Sequence, residues 1–439
     1  MPRSCEMYVV HPHANGSRFV VRKVQSPLFG NDVRVVFDGP DDADRTVAAT
    51  LGHAFAEEVT RLAGVVKTES FGEEILVAWK DRFAADAQHL YVRIAEAPAT
   101  ASPHSPWPPN FAEAEWTAAK APSDQWHLFP CLPQPAVNWS KAKARMPSAW
   151  HVINGAFYDS DPSTLIPSIM ARVGVAPEEN RVFLSYRRNE SQQVAEQLFD
   201  ALTHRGFDVF LDRFSLDPGS RCQESIMQDI DDKALVVLLN TPEVFAATSA
   251  WVESEISRAR LYRLGLFVVQ FPSTKPRTDL TPDGIEHLSA NSFDAPTSAP
   301  PFGRLTSTSL DGIVKQIQRV HTTSVHRRRY ELHDTLATML RVGRKSWSPL
   351  PGGGFVCRAK TGERVIIAVS PRPPGLFEFF GLHDRGGMGT PTTACEGLIV
   401  SPAPFVVARR KAGVNWLGGV CDIRHVDEGQ LSDLVAQLQ

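Results

Sequence analysis

Arg181-Val-Phe-Leu-Ser-Tyr-Arg-Arg188 is the stretch on which the reading of the fold turns. An apolar run that breaks off in polar and cationic residues is the pattern of a buried parallel strand reaching the carboxyl edge of its sheet. Three further runs, residues 207–211, 234–239 and 266–271, follow at intervals long enough for a helix. Strand and helix in alternation define a doubly wound α/β unit. In an open parallel sheet the ligand crevice lies off the carboxyl ends of the strands, so the loops 185–190, 212–220 and 240–255 are expected to converge on one site.

Three motifs fix the reading further. They are Val182-Phe-Leu-Ser-Tyr-Arg-Arg188, then Phe207-Asp-Val-Phe-Leu-Asp212 with the following loop and its Pro218-Gly219, and Ser249-Ala-Trp-Val-Glu-Ser-Glu-Ile256. Together they resemble a Toll/interleukin-1 receptor (TIR) domain. The likeness runs over residues 180–320 once a weaker final strand, near 287–293, and a helix, 309–320, are included. It implies a flavodoxin-like parallel sheet. Residues on either side resemble no family.

Trp251 and Glu255 are four apart on a segment that opens at Thr248-Ser249, good N-cap residues. Residues i and i+4 share a helix face, so indole and carboxylate point the same way. Glu253 must face elsewhere, as a first-turn acid complementing the helix dipole. In TIR domains that cleave NAD, a glutamate stands four residues after a tryptophan in this helix, and the resemblance therefore implies a catalytic role for Glu255. A carboxylate hydrogen-bonded to ribose hydroxyls stabilises an oxocarbenium-like centre, and nicotinamide leaves as a neutral molecule without a general acid. The competing reading of Glu255 is an exposed helix acid paired with Arg258 or Arg260. Trp251 is read as a stacking platform or as a core or lid aromatic.

Arg187 and Arg188 leave the first strand where a pyrophosphate would lie, and an arginine fork holds two phosphate oxygens at once. One of the two is expected to pair with a carboxylate such as Asp212 or Glu190 instead. Ser185 and Tyr186 are expected at the same mouth, with the tyrosine ring against nicotinamide or adenine. The 212–220 loop corresponds to the BB loop of the family, and Asp212 and Ser215 join the substrate-binding candidates. The resemblance makes this loop a lid and a contact to a neighbouring TIR domain, so that activity depends on self-association. Tyr186-Arg-Arg-Asn-Glu190 stands where a glycine-turn dinucleotide fold would carry GxGxxG, which disfavours redox use of NAD. NAD is thus expected as a substrate, with no cofactor and no metal.

Totals and flanks set the frame. A chain of 439 residues exceeds one hydrophobic core. With 43% hydrophobic and 22% charged residues and a net charge of -3, no global electrostatic attraction to nucleic acid or membrane is implied. The six cysteines lie far apart without a CxxC pair, and no apolar run is long enough to span a bilayer, so the chain reads as cytoplasmic with reduced thiols.

Residues 1–95 read as an α+β domain with an antiparallel meander (8–11, 18–24, 33–38), a helix at 42–63 and strands at 75–79 and 90–94. Residues 96–178 form a Pro- and Trp-rich connecting region, an irregular wrap ending in a helix capped at Asp161. The TIR domain is expected over 179–322. Residues 323–439 read as a small α/β domain for sensing or assembly, with a strand at 397–400, a helix at 404–412, a strand at 419–423 and a helix at 427–438. The basic run Arg327-Arg328-Arg329 is either a solvated face or a nucleic-acid contact. In function these readings point to an NAD-cleaving effector, giving ADP-ribose or a cyclic isomer, of the kind that acts in antiphage defence. A non-catalytic TIR adaptor is the alternative.

Overall fold

The computed structural model describes residues 5–12, 19–26, 32–39, 42–63, 66–71, 88–94, 126–133, 156–158, 161–173, 180–211, 230, 233–245, 250–350, 354–386, 395–402 and 408–439. The chain divides into two compact units, one drawn from residues 1–176 and the other from 177–350 and 354–439. Among the described residues no helix is long and apolar enough to cross a membrane.

The first unit is a seven-stranded mixed sheet. Strands β1 (Cys5–Pro12), β2 (Phe19–Ser26) and β3 (Val33–Asp38) precede helix α1 (Asp42–Ala63), and β4 (Val66–Phe71), β5 (Gln88–Ile94), β6 (Trp126–Pro133) and β7 (Ala156–Tyr158) follow in the order β4-β2-β1-β3-β5-β6-β7. Helix α1 buries Ala48, Leu51, Phe55 and Val59 at helical spacing against Val9, Val35, Phe37 and Val92. It lies close to β1: a Cβ added at Gly52 would sit 2.3 Å from the His11 Cβ, so only glycine fits there. The expected meander is corrected. Strand β2 pairs antiparallel with β1, but β3 pairs with β1 in parallel, as do β5, β6 and β7 with their neighbours. Runs of β-branched residues fix strands without fixing their direction.

The connecting region is not irregular throughout. Residues 126–133, which carry Pro130 and Pro133, pair in parallel with β5, so pairing on the sheet overrides local composition. The helical end of this region begins as expected at Asp161, whose side chain accepts from Ser163 N at 3.0 Å, and continues into α2 (Ile166–Arg172). The expected strand at 75–79 lies outside the described residues.

The second unit opens with a parallel five-stranded sheet made of β8 (Asn180–Ser185), β9 (Phe207–Phe210), β10 (Leu235–Asn240), β11 (Gly265–Gln270) and β12 (Gly284–His287), in the order β12-β11-β10-β8-β9. Helix α3 (Arg188–Thr203) covers one face and α4 (Ala250–Leu261) the other. Val194, Leu198 and Leu202 of α3 share a core with Val182, Leu184, Val237 and Val269, whereas Val252, Ile256 and Ala259 of α4 pack with Phe183, Val236, Leu238 and Val268. Consecutive strand residues alternate between the faces, so the apolar runs are buried on both sides. The final strand is Gly284–His287 rather than residues 287–293; a 3-10 turn, Ala290–Ser292, fills part of that span.

Helix α5 (Ser307–Val342) is one continuous helix of 36 residues where a break after residue 320 was expected. No glycine or proline interrupts it between Gly312 and Gly343. Its first half, Ile313, Val314, Ile317 and Val320, belongs to the core of the parallel sheet. Its second half, Leu332, Leu336 and Leu340, belongs to a separate core with Phe355, Ile367, Leu398 and Leu434.

That second core underlies β13 (Trp347–Leu350), β14 (Gly354–Arg358), β15 (Arg364–Val369), β16 (Cys395–Ser401) and β17 (Ile423–Asp427), antiparallel up to β15 and parallel after it. Helices α6 (Leu376–Gly386) and α7 (Ala408–Cys421) join β15, β16 and β17, and α8 (Leu431–Gln437) closes the chain. Helix α7 takes up residues 413–421, part of which was read as a strand, and the strand begins at Ile423. Its glycines invite a break, yet Gly418 is needed for contact: a Cβ there would lie 2.5 Å from the Ile423 carbonyl oxygen.

Candidate active site

The chain runs from β8 outward to β9 and returns across β8 to β10, so the strand order reverses between β8 and β10. A ligand crevice opens at such a switch point, beyond the carboxyl ends of the strands. Strands β8, β10 and β11 end in Ser185, Asn240 and Gln270, each two residues past a side chain of the α4-facing core (Phe183, Leu238, Val268). By strand alternation the three polar side chains share the α4 face. All three are buried. Asn240 Nδ2 donates to Gln270 Oε1 at 2.7 Å, and Gln270 Nε2 to the Thr274 carbonyl at 2.9 Å.

Helix α4 brings the decisive group. Val252, Glu255, Ile256 and Ala259 occupy i, i+3, i+4 and i+7, the stripe that faces the sheet, and all four are buried. A carboxylate therefore stands where helical spacing calls for an apolar residue, and it is 2% exposed. Its Oε2 accepts a hydrogen bond from Ser185 Oγ at 2.6 Å. Holding a carboxylate away from water costs on the order of several kcal/mol unless it is well bonded. A cost of that kind, at the carboxyl edge of a parallel sheet, makes Glu255 the candidate functional group of this domain. Burial also rules out the exposed-acid reading of Glu255. Glu253 does face elsewhere: it is exposed and pairs with Arg277, which also holds Asp279 and lies 4.2 Å from the Phe245 ring centroid.

The other candidates fall into distinct places. Ser185 is at the site. Tyr186 is not at the mouth: it is 3% exposed and packs with Val182 and Leu184 in the α3-side core, because the next residue along a strand turns to the opposite face. Arg187 caps α3 and directs its guanidinium to the connection after β10, bonding the Glu243 carbonyl and lying 3.1 Å from its carboxylate. Its partner is Glu243 instead of the expected Asp212 or Glu190. Arg188 begins α3 and is exposed. Asp212, Ser215 and the loop that carries them lie outside the described residues, as does the cap at Thr248-Ser249. Trp251 stands one turn before Glu255 on α4, and its side chain lies outside the described residues.

Sequence reasoning missed Glu190, Thr241, Asn240 and Gln270 as members of this polar edge. A signal was present for Asn240 and Gln270: each, like Ser185, is a polar residue two positions past an apolar residue of the same strand face. The basic run at the other end of the unit is not an open phosphate-binding face: Arg327 pairs with Asp283, Arg328 is 5% exposed and Arg329 is half-buried.

Sheet order and the helices on both faces define residues 180–320 as a doubly wound α/β domain, with a buried carboxylate at the carboxyl edge of its sheet. A family model described as TIR domain matches residues 182–298, and this part of the chain is a TIR domain. No curated protein and no solved structure matches the chain.

Proposed function

We propose that the TIR domain is an NAD glycohydrolase, with Glu255 as its catalytic residue. The observation that carries this reading is the burial of Glu255 on the sheet-facing stripe of α4, bonded to Ser185 at the switch point. In the reaction the C1′–N bond of the nicotinamide ribose breaks and its electron pair leaves with the ring nitrogen, so neutral nicotinamide departs. The ribosyl centre left behind is oxocarbenium-like, and the Glu255 carboxylate, accepting hydrogen bonds from the ribose hydroxyls, stabilises that charge. Water then bonds C1′ and yields ADP-ribose with release of one proton; attack by a nitrogen of the adenine yields a cyclic isomer. Ser185 orients the carboxylate. Trp251, Arg188, Asp212 and Ser215 complete the substrate contacts in this reading.

A low-dielectric surrounding favours this chemistry, since a carboxylate stripped of water interacts more strongly with a developing cation. The family supports self-association through the TIR domain as the route to activation. The first unit and the carboxyl-terminal sheet then act in sensing or assembly, and antiphage defence is the biological setting the reading suggests. The experiment that separates an enzyme from a TIR adaptor uses Glu255→Ala in the full chain. An enzyme loses NAD turnover and keeps self-association; an adaptor shows no turnover in the wild type to lose.

A further inference from the structure

A second buried carboxylate stands at the same sheet edge. Glu190 lies in the first turn of α3 and is 4% exposed. Its Oε2 accepts from Thr241 Oγ1 at 2.5 Å and from Glu243 N at 3.2 Å, and its main-chain carbonyl accepts from Phe302 N at 2.8 Å. Among the described residues Oε1 has no hydrogen-bond partner. Three residues earlier, Arg187 bonds the carbonyl of Glu243 and lies 3.1 Å from its carboxylate.

These contacts join the two sides of the switch point. Helix α3 is the continuation of β8, and residues 241–245 open the connection from β10 to α4. The turn they form is closed by Val244 N on the Thr241 carbonyl at 3.2 Å, and Val244 is buried in the core under α4. Val244 of this turn and Val252, Ile256 and Ala259 of α4 lie in one buried core, so what fixes the turn also fixes a packing partner of the helix that carries Glu255.

We propose that Glu190 is a positioning residue of the site: its Oε2 pins Thr241 and Glu243, just past β10, to α3 and, through the core that Val244 shares with α4, holds Glu255 in register with Ser185. This rests on the reading of Glu255 as the catalytic residue. Because the pin uses one oxygen as an acceptor, it does not need the negative charge. The amide oxygen of glutamine can supply the same acceptor, and alanine cannot.

The test compares full-length wild type with Glu190→Ala, Glu190→Gln and Thr241→Val. Two readouts are taken: amide hydrogen exchange over residues 241–261, and kcat and KM for NAD cleavage. Loss of a buried hydrogen bond of this kind is expected to speed exchange across 241–261 and to lower kcat, each by about 10- to 100-fold, in Glu190→Ala. KM should move less than kcat. Thr241→Val should show the same effects at smaller amplitude, and Glu190→Gln should keep both readouts within about threefold of wild type.

Wild-type exchange and kcat in both Glu190→Ala and Thr241→Val would overturn the proposal. So would a Glu190→Gln protein that exchanges normally yet fails to turn over, because the carboxylate itself would then be required by the chemistry. If Glu190→Ala does not fold, Thr241→Val and Glu190→Gln decide. If no protein turns over NAD, the glycohydrolase reading fails by itself and the exchange data still decide whether Glu190 holds the connection.

Discussion

Ser185 Oγ donates to Glu255 Oε2 at 2.6 Å, joining residues 70 positions apart in the sequence, one at the end of a strand and one in mid-helix. The bond crosses from the sheet to the helix layer just beside the point where strand order reverses. Both residues are buried, so the hydroxyl is part of the local environment that the carboxylate has in place of water.

Glu255→Gln should leave the protein as stable as wild type or more so. Replacing a buried carboxylate by a neutral isostere removes a desolvation cost, and active-site groups are commonly held against stability. Thermal unfolding of the two proteins at pH 7 reads this directly. A marked loss of stability in Glu255→Gln would show that the group serves the fold.

Ser185→Ala removes one donor from the carboxylate and leaves its charge in place. The expected result is a fall in kcat of about 10-fold with the fold retained, the scale of one buried hydrogen bond to a charged group. Steady-state kinetics on NAD checks it. An unchanged kcat would mean that the bond does not orient the acid.

Acid should weaken the second unit in a defined window. Burial pushes His321, His333 and His425 each down to about 4, from the usual histidine value near 6.5. Folding therefore keeps them neutral while the unfolded chain binds protons below about pH 6.5. The stability they contribute is present above that pH and falls as pH drops from about 6.5 toward 4, by up to roughly 1.4 kcal/mol per pH unit for each histidine. Denaturant unfolding followed across this range should show the slope. His321→Gln should reduce it if His321, which accepts from Arg181 N at 3.3 Å, carries its share.

Much of the TIR unit was legible because its sheet is buried on both faces and its strands are therefore uninterrupted apolar runs. Glu255 was legible through its spacing from Trp251, although its burial was not: helical periodicity in 250–261 is weakened by that same glutamate lying on the apolar stripe. Tyr186 was misplaced because the motif names residues in a row, whereas a strand sends neighbours to opposite faces. Strand direction in the first unit could not be read from β-branched runs, as the parallel pairing of β3 with β1 shows. The unbroken helix α5 was hidden by a polar stretch, His321-Thr322-Thr323-Ser324, that is packed rather than looped.

Self-association should set the rate. Specific activity on NAD is expected to rise with protein concentration over the range in which gel filtration shows larger species, since the 212–220 loop is read as a lid completed by a neighbouring domain. Constant specific activity across assembly would remove this step and leave the chemistry of Glu255 untouched.

Nicotinamide release from NAD, measured as initial rate at saturating substrate for purified full-length wild type and Glu255→Ala under assembling conditions, tests the central claim most directly. Release in the wild type and a fall of about a thousandfold or more in the variant is the result expected for a lone catalytic carboxylate. Equal rates in the two proteins, or no release from assembled wild type, would contradict it.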